Sequence, residues 1–216
     1  MPIYRLTDDL IFPPVDGAED GIVAVGGDLL PERLMIAYRS GIFPWYSEGE
    51  PIIWWSPDPR FVLFPEKLHI PKSMRRVLNK GELRVTLNED FEQVIAQCKK
   101  VPRQGQEGTW ITDEMELAYI RLHELGYAKS VEVWKEDELV GGMYGVDLGN
   151  IFCGESMFSN VSNASKVALI YFIQDFAKRG GKLFDCQVHS DHMVTMGAEE
   201  VNREEFLGYL NQNPSA

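Results

Sequence analysis

The chain has 216 residues, 44% of them hydrophobic and 25% charged, a composition typical of a globular protein that buries a sizeable core. Its formal net charge of −12 argues against a general nucleic-acid binder, because phosphate contacts require Lys and Arg. No apolar run reaches the roughly 18 residues that a membrane span needs, and the N-terminal residues do not resemble a signal peptide, so we expect no membrane association. The three cysteines form no C-x-x-C motif and fit a reducing compartment, which predicts a cytoplasmic protein.

The first 60 residues predict little regular structure apart from one helix. Residues 1–30 contain turn-forming Pro and Gly pairs and predict few strands. A helix is predicted over residues 29–40, with Pro31 in its first turn and Gly41 at its end. The aromatic and proline residues of 42–46 and 52–60 predict an irregular wall of rings. These rings fit either a plug between two domains or a surface on which nucleobases stack.

Basic residues are concentrated in the segment 67–84, which contains six Lys or Arg residues and one acidic residue. A smaller cluster follows at Lys99, Lys100 and Arg103. A solvated helix face and a binding site for a polyanion both fit this pattern.

From residue 61 onward, short strands and helices alternate. Strands are predicted over 61–64 and 83–87, and a basic helix over 71–79. Asn88 is predicted to cap a helix that runs to Lys99, and Thr112 to cap a helix that runs to Gly126, with a polar loop over 101–108 between them. Residues 130–134 and 139–146 alternate like a hairpin, and a last helix is predicted over 203–211. The pattern supports a mixed α/β fold.

A strand–helix–strand unit is predicted over residues 150–187. An apolar strand carries Glu155, helical spacing follows over 160–178, and Gly180-Gly181 ends the helix before a buried strand that leads to Asp185 and Gln187. If the two strands are parallel neighbours, these polar side chains converge at one edge of the sheet, where open sheets bind ligands. Taken alone, the carboxylate and the amide fit better as polar groups that hydrogen-bond to each other or to a loop.

Seven short motifs occur in order between residues 24 and 197: G-I-F-P-W-Y-S, W-W-S-P-D-P-R, E-G-T-W-I-T, G-G-M-Y-G-V, C-G-E-S-M-F-S, N-A-S-K and G-K-L-F-D-C-Q. Together they resemble the bacterial leucyl/phenylalanyl-tRNA–protein transferase family over nearly the whole chain. The resemblance implies an α/β (α+β) fold in which a small N-terminal domain, residues 1–62, docks on a GNAT-like acyltransferase domain, residues 63–216.

The resemblance implies an aminoacyltransferase that moves leucine or phenylalanine, less often methionine, from aminoacyl-tRNA to the α-amino group of proteins with N-terminal Arg or Lys. Such transfer marks the acceptor for N-end-rule degradation. The aminoacyl ester is already activated, so no ATP, metal or other cofactor is expected, and the sequence has no P-loop or H-E-x-x-H motif. The expected partners are Leu-tRNA, Phe-tRNA and the acceptor proteins, and the enzyme is expected to be a monomer.

The resemblance also implies roles for individual residues. Asp185 is expected to orient Gln187, whose carbonyl oxygen accepts a hydrogen bond from the attacking amine, and Glu155 to bind a substrate amino or hydroxyl group. The three together are expected to form a corner that favours a cation. The other expected sets are Trp45, Trp110, Tyr38 and Tyr119 stacking on the 3′-adenosine; Met143, Phe152, Leu169, Phe172 and Phe176 lining the aminoacyl pocket; and Lys72, Arg75, Arg76, Lys80 and Arg84 contacting the tRNA backbone. The i, i+3, i+7 spacing of Leu169, Phe172 and Phe176 fits a plain core face equally well.

Two other functions stay open. A GNAT enzyme using acetyl-coenzyme A is one, although residues 159–164 lack the glycines that usually cradle the pyrophosphate. A non-catalytic module that holds aminoacyl-tRNA or basic N-termini is the other, and the presence of Asp185 and Gln187 argues against it. His189 and His192 are the only close histidine pair and a weak candidate for a metal site.

Overall fold

The described part of the chain, residues 4–101 and 110–212 of a computed structural model, forms two β-sheets and seven α-helices. The helices are α1 (Pro31–Arg39), α2 (Lys72–Lys80), α3 (Phe91–Lys100), α4 (Asp113–Glu124), α5 (Ala164–Lys178), α6 (Asp191–Thr195) and α7 (Arg203–Asn211). The strands are β1 (Tyr4–Leu6), β2 (Ile22–Gly26), β3 (Phe43–Pro44), β4 (Ile53–Trp55), β5 (Arg60–Leu63), β6 (Arg84–Leu87), β7 (Ala128–Lys135), β8 (Glu138–Asp147), β9 (Ile151–Ser159), β10 (Leu183–Gln187) and β11 (Glu199–Val201). The predicted mixed α/β fold is confirmed.

The larger sheet has the strand order β11-β5-β10-β9-β8-β7-β6, and within it only β9 and β10 run parallel. Parallel neighbours cannot be joined by a hairpin, and α5 provides the crossover between them. The predicted strand–helix–strand unit is therefore confirmed. Asp185 pairs with Cys153 across the parallel strands, so Gln187 and Glu155, two residues further along each strand, come side by side.

The larger sheet separates two buried clusters of apolar side chains. One cluster contains the buried residues of α5 and Met74 of α2, and the other contains those of α3, α4 and the N-terminal region. Adjacent strand residues such as Phe152 and Cys153 belong to different clusters, as the alternation of side chains across a sheet requires.

The smaller sheet, of order β1-β2-β4-β3, corrects the prediction that the N-terminal region has few strands. It also shows that the aromatic and proline-rich segments are partly regular. Its strands have only two to five residues, too short for a clear alternation of polar and apolar positions. Trp54 is fully buried in this region, and its indole nitrogen donates to the Gly26 carbonyl at 2.8 Å.

The helix caps show one correct prediction and one wrong one. Thr112 caps α4, where its hydroxyl accepts from the Met115 amide at 3.2 Å. Asn88 does not cap α3. Asp90 is the cap, and its side chain accepts from the Gln93 amide at 3.2 Å. The side chain of Asn88 instead accepts from the Ser130 amide at 3.0 Å.

Three predictions remain, on a loop, on the cysteines and on membrane association. The predicted loop 101–108 lies outside the described residues except for residue 101, and so does the basic residue Arg103. The three cysteines are free thiols. Among the described helices, none is long and apolar enough to cross a membrane.

Two glycines provide a matched test of the packing of α5 and α7. A Cβ at Gly141, on β8, would overlap Ala164 at the start of α5, so Gly141→Ala is expected to lower the free energy of unfolding by about 1–3 kcal/mol. A Cβ at Gly208, within α7, would meet no atom within 4 Å. Gly208→Ala is therefore expected to raise the free energy of unfolding by about 0.5–1 kcal/mol, because glycine is a poor helix former. Urea unfolding followed by circular dichroism measures both changes, and a loss of the same size in both variants would contradict this packing.

Candidate active site

A cleft of about 610 Å³ lies between β3 of the smaller sheet and the parallel strands β9 and β10 of the larger one. Five residues predicted to belong to the functional site line it: Trp45, Trp110, Met143, Glu155 and Gln187. Phe43 and Pro44, which belong to the predicted wall of aromatic and proline residues, also line the cleft. Sequence reasoning assigned no role in the site to several other lining residues, including Met157, Phe184, Val188 and Met193.

Gln187 has an unusual backbone conformation, with a φ of 66°. The Val188 amide donates to the Cys186 carbonyl at 2.8 Å, so residues 186–188 form a γ-turn with Gln187 at its centre. The pairing of β10 with β5 shifts register at the same place, between Asp185 and Gln187. A side-chain-bearing residue in this conformation costs on the order of 1–3 kcal/mol, and it persists only where its surroundings fix it.

The side chain of Gln187 is oriented by Glu155. Its Nε2 donates to Oε1 of Glu155 at 2.8 Å, and a carboxylate can only accept such a bond. The Gln187 carbonyl oxygen, Oε1, forms no hydrogen bond with the described residues, and the side chain lines the cleft. The amide therefore offers an acceptor to a molecule bound in the cleft.

Glu155 is held by two tyrosines. The Tyr38 hydroxyl donates to Oε1 at 2.8 Å and the Tyr119 hydroxyl to Oε2 at 3.0 Å, and the two hydroxyls contact each other. Burial raises the pKa of Glu155 to about 7, although the hydrogen bonds from Tyr38, Tyr119 and Gln187 oppose the rise. Burial and the nearby Glu155 charge raise the pKa of both tyrosines well above its usual value, so both stay neutral donors.

The burial of Tyr38 and Tyr119 contradicts the expectation that they stack on an adenosine. Tyr38 and Tyr119 are only 1% and 0% exposed as whole residues, and neither lines the cleft. Their ring faces are covered by the core, and only their hydroxyls reach the site. Trp45 and Trp110 do line the cleft, and their stacking on a base stays a prediction.

Asp185 is fully buried and does not line the cleft. Its two carboxylate oxygens accept from Nε and Nη2 of Arg60, at 2.8 and 2.7 Å, and Oδ1 also accepts from the Gln187 backbone amide at 2.9 Å. Asp185 thus reaches Gln187 through the backbone, and Glu155 orients the side chain. Because the charge of Asp185 is paired with Arg60, the negative charge of the predicted cation-favouring corner comes from Glu155.

Arg60 was not assigned a role by the sequence. Its guanidinium lies between the rings of Phe43 and Phe206, 4.8 and 4.5 Å from their centroids, and Nη1 donates to the Gly41 carbonyl at 3.2 Å. The sequence did contain an indication of this role. Arg60 directly precedes the apolar run 61–64, and an arginine buried beside such a run needs a partner for its charge.

Four of the five residues predicted to line an aminoacyl pocket lie in the core instead. Only Met143 lines the cleft, whereas the side chains of four others are at most 3% exposed and belong to the cluster around α5: Phe152, Leu169, Phe172 and Phe176. Phe184 lines the cleft and lies between it and Phe152, and the two rings pack at a centroid distance of 5.6 Å. A Cβ at Gly154 would overlap the Phe184 ring, so glycine is required beside it.

The five residues predicted to contact the tRNA backbone lie on α2 or β6 and are exposed: Lys72, Arg75, Arg76, Lys80 and Arg84. Lys80 and Arg84 pair with Glu82 and Glu89 at 3.7 and 3.5 Å. The other three form no ion pair with the described residues. Their contact with tRNA stays a prediction.

Within the described residues, no three His, Cys, Asp or Glu side chains are grouped so as to hold a metal ion. His189 faces Asp191 and Glu200, at 3.4 and 3.8 Å, whereas His192 lines the cleft. The two histidines therefore have separate surroundings.

Comparison with known proteins gave one family. A family model described as leucyl/phenylalanyl-tRNA protein transferase matches residues 62–211, and a model of the N-terminal domain of that family matches residues 27–58. A protein of Flavobacterium johnsoniae named leucyl/phenylalanyl-tRNA–protein transferase is 57% identical over 209 residues, which cover 96% of this chain and 99% of the relative. A protein of the same name from Escherichia coli O81 is 56% identical over 206 residues, which cover 94% of this chain and 87% of the relative.

A GCN5-related N-acetyltransferase from Kribbella flavida is among the solved structures to which the chain was aligned. It aligns with a TM-score of 0.38 and 12% identity, covering 79% of this chain and 60% of that protein.

Replacement of Arg60 tests the buried ion pair. Arg60→Met keeps a long side chain but leaves the Asp185 carboxylate buried without its partner, so the free energy of unfolding is expected to fall by about 3–5 kcal/mol. Arg179→Met is the matched control, because Arg179 pairs with Asp175 on the surface, and its change is expected to stay below about 0.5 kcal/mol. Similar small losses in both variants, measured by urea unfolding, would contradict the importance of the buried pair.

Proposed function

Because the chain belongs to the leucyl/phenylalanyl-tRNA protein transferase family, it is an aminoacyltransferase, and we propose that it transfers leucine or phenylalanine, less often methionine, from aminoacyl-tRNA to the α-amino group of proteins with N-terminal Arg or Lys. The family resemblance further implies that the product is marked for N-end-rule degradation. The names of the relatives support transfer from tRNA to protein, and the finer specificity is part of the proposal.

The Gln187 amide is the observation that carries this proposal. Its Oε1 accepts a hydrogen bond from an N–H of the incoming α-amine and aligns the nitrogen lone pair with the ester carbonyl carbon. The C–N bond forms, the ester C–O bond breaks, and the amine proton leaves with the ribose oxygen of the terminal adenosine. An amide has almost no basicity, so Gln187 orients the amine and does not deprotonate it. A free α-amine has a pKa of about 7.7–8.0, so roughly a tenth of it is already neutral at pH 7.

Glu155 acts in its ionised form. As a carboxylate it accepts from Gln187 Nε2 and from both tyrosine hydroxyls, which keeps the Gln187 carbonyl oxygen available to the cleft. Its negative charge also attracts a basic N-terminus, because opposite charges attract strongly where water is partly excluded.

The aminoacyl-tRNA occupies the remaining walls of the cleft. Trp45 and Trp110 offer indole faces for the terminal adenine, and base–aromatic stacking contributes about 1–3 kcal/mol per base. Met143, Met157 and Phe184 offer apolar surface for the leucine or phenylalanine side chain. The exposed basic residues of α2 and β6 are the proposed contacts for the tRNA phosphates.

Transfer of radiolabelled leucine from Leu-tRNA to a protein with N-terminal Arg, with purified enzyme and no added cofactor, tests the proposed function. An acceptor with N-terminal Ser and a parallel reaction with labelled acetyl-coenzyme A are the controls. Label on the Arg acceptor alone supports the proposal. Label from acetyl-coenzyme A would overturn it, and bound Leu-tRNA without transfer would favour a carrier module.

Removal of the Gln187 side chain tests its orienting role. Gln187→Gly is the suitable change, because glycine adopts a φ of 66° without strain and the γ-turn is retained. The kcat for transfer is expected to fall about 100-fold, the scale of a single stabilising contact in a reactive centre, while tRNA affinity changes less than threefold. Gln174→Ala, on the outer face of α5, is the control and should leave kcat unchanged. Equal loss of affinity and kcat would indicate a structural role.

The pH dependence of transfer tests the ionised state of Glu155. A carboxylate with a pKa of about 7 gains its charge between pH 6 and 8, so kcat is expected to rise across this range. Glu155→Gln is expected to lower kcat and to remove the step near pH 7, leaving only the titration of the acceptor α-amine near pH 8. An unchanged step near pH 7 in Glu155→Gln would assign that titration to another group.

A further inference from the structure

His192 lies in α6 and lines the same cleft as Gln187 and Glu155. The ring nitrogen Nε2 of His192 is buried and forms no hydrogen bond with any described residue. A buried polar atom without a partner costs about 1–3 kcal/mol, and native proteins keep few of them. Since this nitrogen belongs to a side chain that lines a cleft, a bound molecule is the natural partner.

The other three histidines of the chain do not share these surroundings. His123 contacts a backbone carbonyl through Nδ1 at 2.9 Å, and His189 faces Asp191 at 3.4 Å. His69 is exposed and does not line the cleft. His192 is therefore a distinctive feature of the cleft, and the mechanism proposed above does not use it.

The charges around His192 indicate which substrate it meets. Burial lowers the pKa of His192, and the nearby Lys166 ammonium lowers it further, so the imidazole is neutral and carries one N–H donor. The positive charge of Lys166 attracts an anion and repels a cation, and the negative charge of Glu155 does the reverse. An acceptor protein brings a cationic N-terminus, which is drawn to Glu155. The His192 side of the cleft therefore suits the phosphates of the RNA.

We propose that His192 is a substrate-contacting residue whose Nε2–H donates to a phosphate oxygen in the 3′-terminal nucleotides of the aminoacyl-tRNA, with Lys166 supplying positive charge beside it. This inference rests on the proposed function and adds a specific anchor for the donor substrate. The anchor lies on α6, which follows the γ-turn of Gln187 by only a few residues, so bound RNA and the orienting amide are held by one short segment.

Steady-state transfer of labelled leucine, with Leu-tRNA and the Arg acceptor varied separately, tests this inference. His192→Phe keeps a ring of similar size without a donor, and His192→Gln keeps an N–H near the position of Nε2. His192→Phe is expected to raise the KM for Leu-tRNA about tenfold, the loss of one hydrogen bond, and to leave the KM for the acceptor within about twofold. His192→Gln is expected to recover most of the loss. Lys166→Gln is expected to raise the KM for Leu-tRNA about threefold and to weaken its dependence on salt.

His189→Gln is the matched control, because His189 is exposed and does not line the cleft, and it should change neither KM. An unchanged KM for Leu-tRNA in His192→Phe overturns the inference, as does a rise in the acceptor KM alone. Equal losses in His192→Phe and His192→Gln, together with lower melting temperatures, would assign a structural role and overturn it too.

An inactive wild-type protein would count against the proposed function, and not against this inference. Filter binding of deacylated leucine tRNA to the wild-type protein and to His192→Phe then decides the inference by itself. A Kd about tenfold weaker in the variant supports the contact, and equal Kd values overturn it.

Discussion

The buried ion pair between Arg60 and Asp185 is the interaction on which the candidate site depends. Removing two charges from water costs several kcal/mol for each ion, and only good geometry with the remaining donors satisfied offsets that cost. Here the contact is bidentate, the third guanidinium nitrogen donates to the Gly41 carbonyl, and two aromatic rings cover the guanidinium faces. The fixed carboxylate then accepts from the Gln187 backbone amide, at the centre of the γ-turn.

Much of the fold could be predicted from the sequence, because many of its features depend on residues close together in the chain. The last helix has its predicted bounds, Thr112 caps α4, and the strand–helix–strand unit around α5 is present. The cap of α3 was wrong because two polar residues, Asn88 and Asp90, compete for that position. The Asn88 side chain is instead occupied by the amide of Ser130, which lies 42 residues further along the chain.

The candidate site was less predictable, because its arrangement depends on distant contacts. The spacing of residues 169, 172 and 176 indicates a shared helix face but not whether that face meets a cleft or the core, and it meets the core. The motif match selected Tyr38 and Tyr119 without showing whether their rings or their hydroxyls face the site. Arg60 could be found only by asking which buried acid balances it, and that acid lies 125 residues away.

The contacts that hold Gln187 come from both regions of the chain that the family describes separately. Arg60 supports the Gln187 backbone through Asp185 and lies between the two family models. Tyr38 supports the Gln187 side chain through Glu155 and lies within the N-terminal model. A fragment beginning at residue 61 would keep Gln187 and Glu155 but lose Arg60 and Tyr38. The N-terminal region is in this sense part of the reactive centre. If one region were exchanged between relatives, the orientation of the Gln187 amide would be kept only if the contacts of Arg60 with Asp185 and of Tyr38 with Glu155 were formed again.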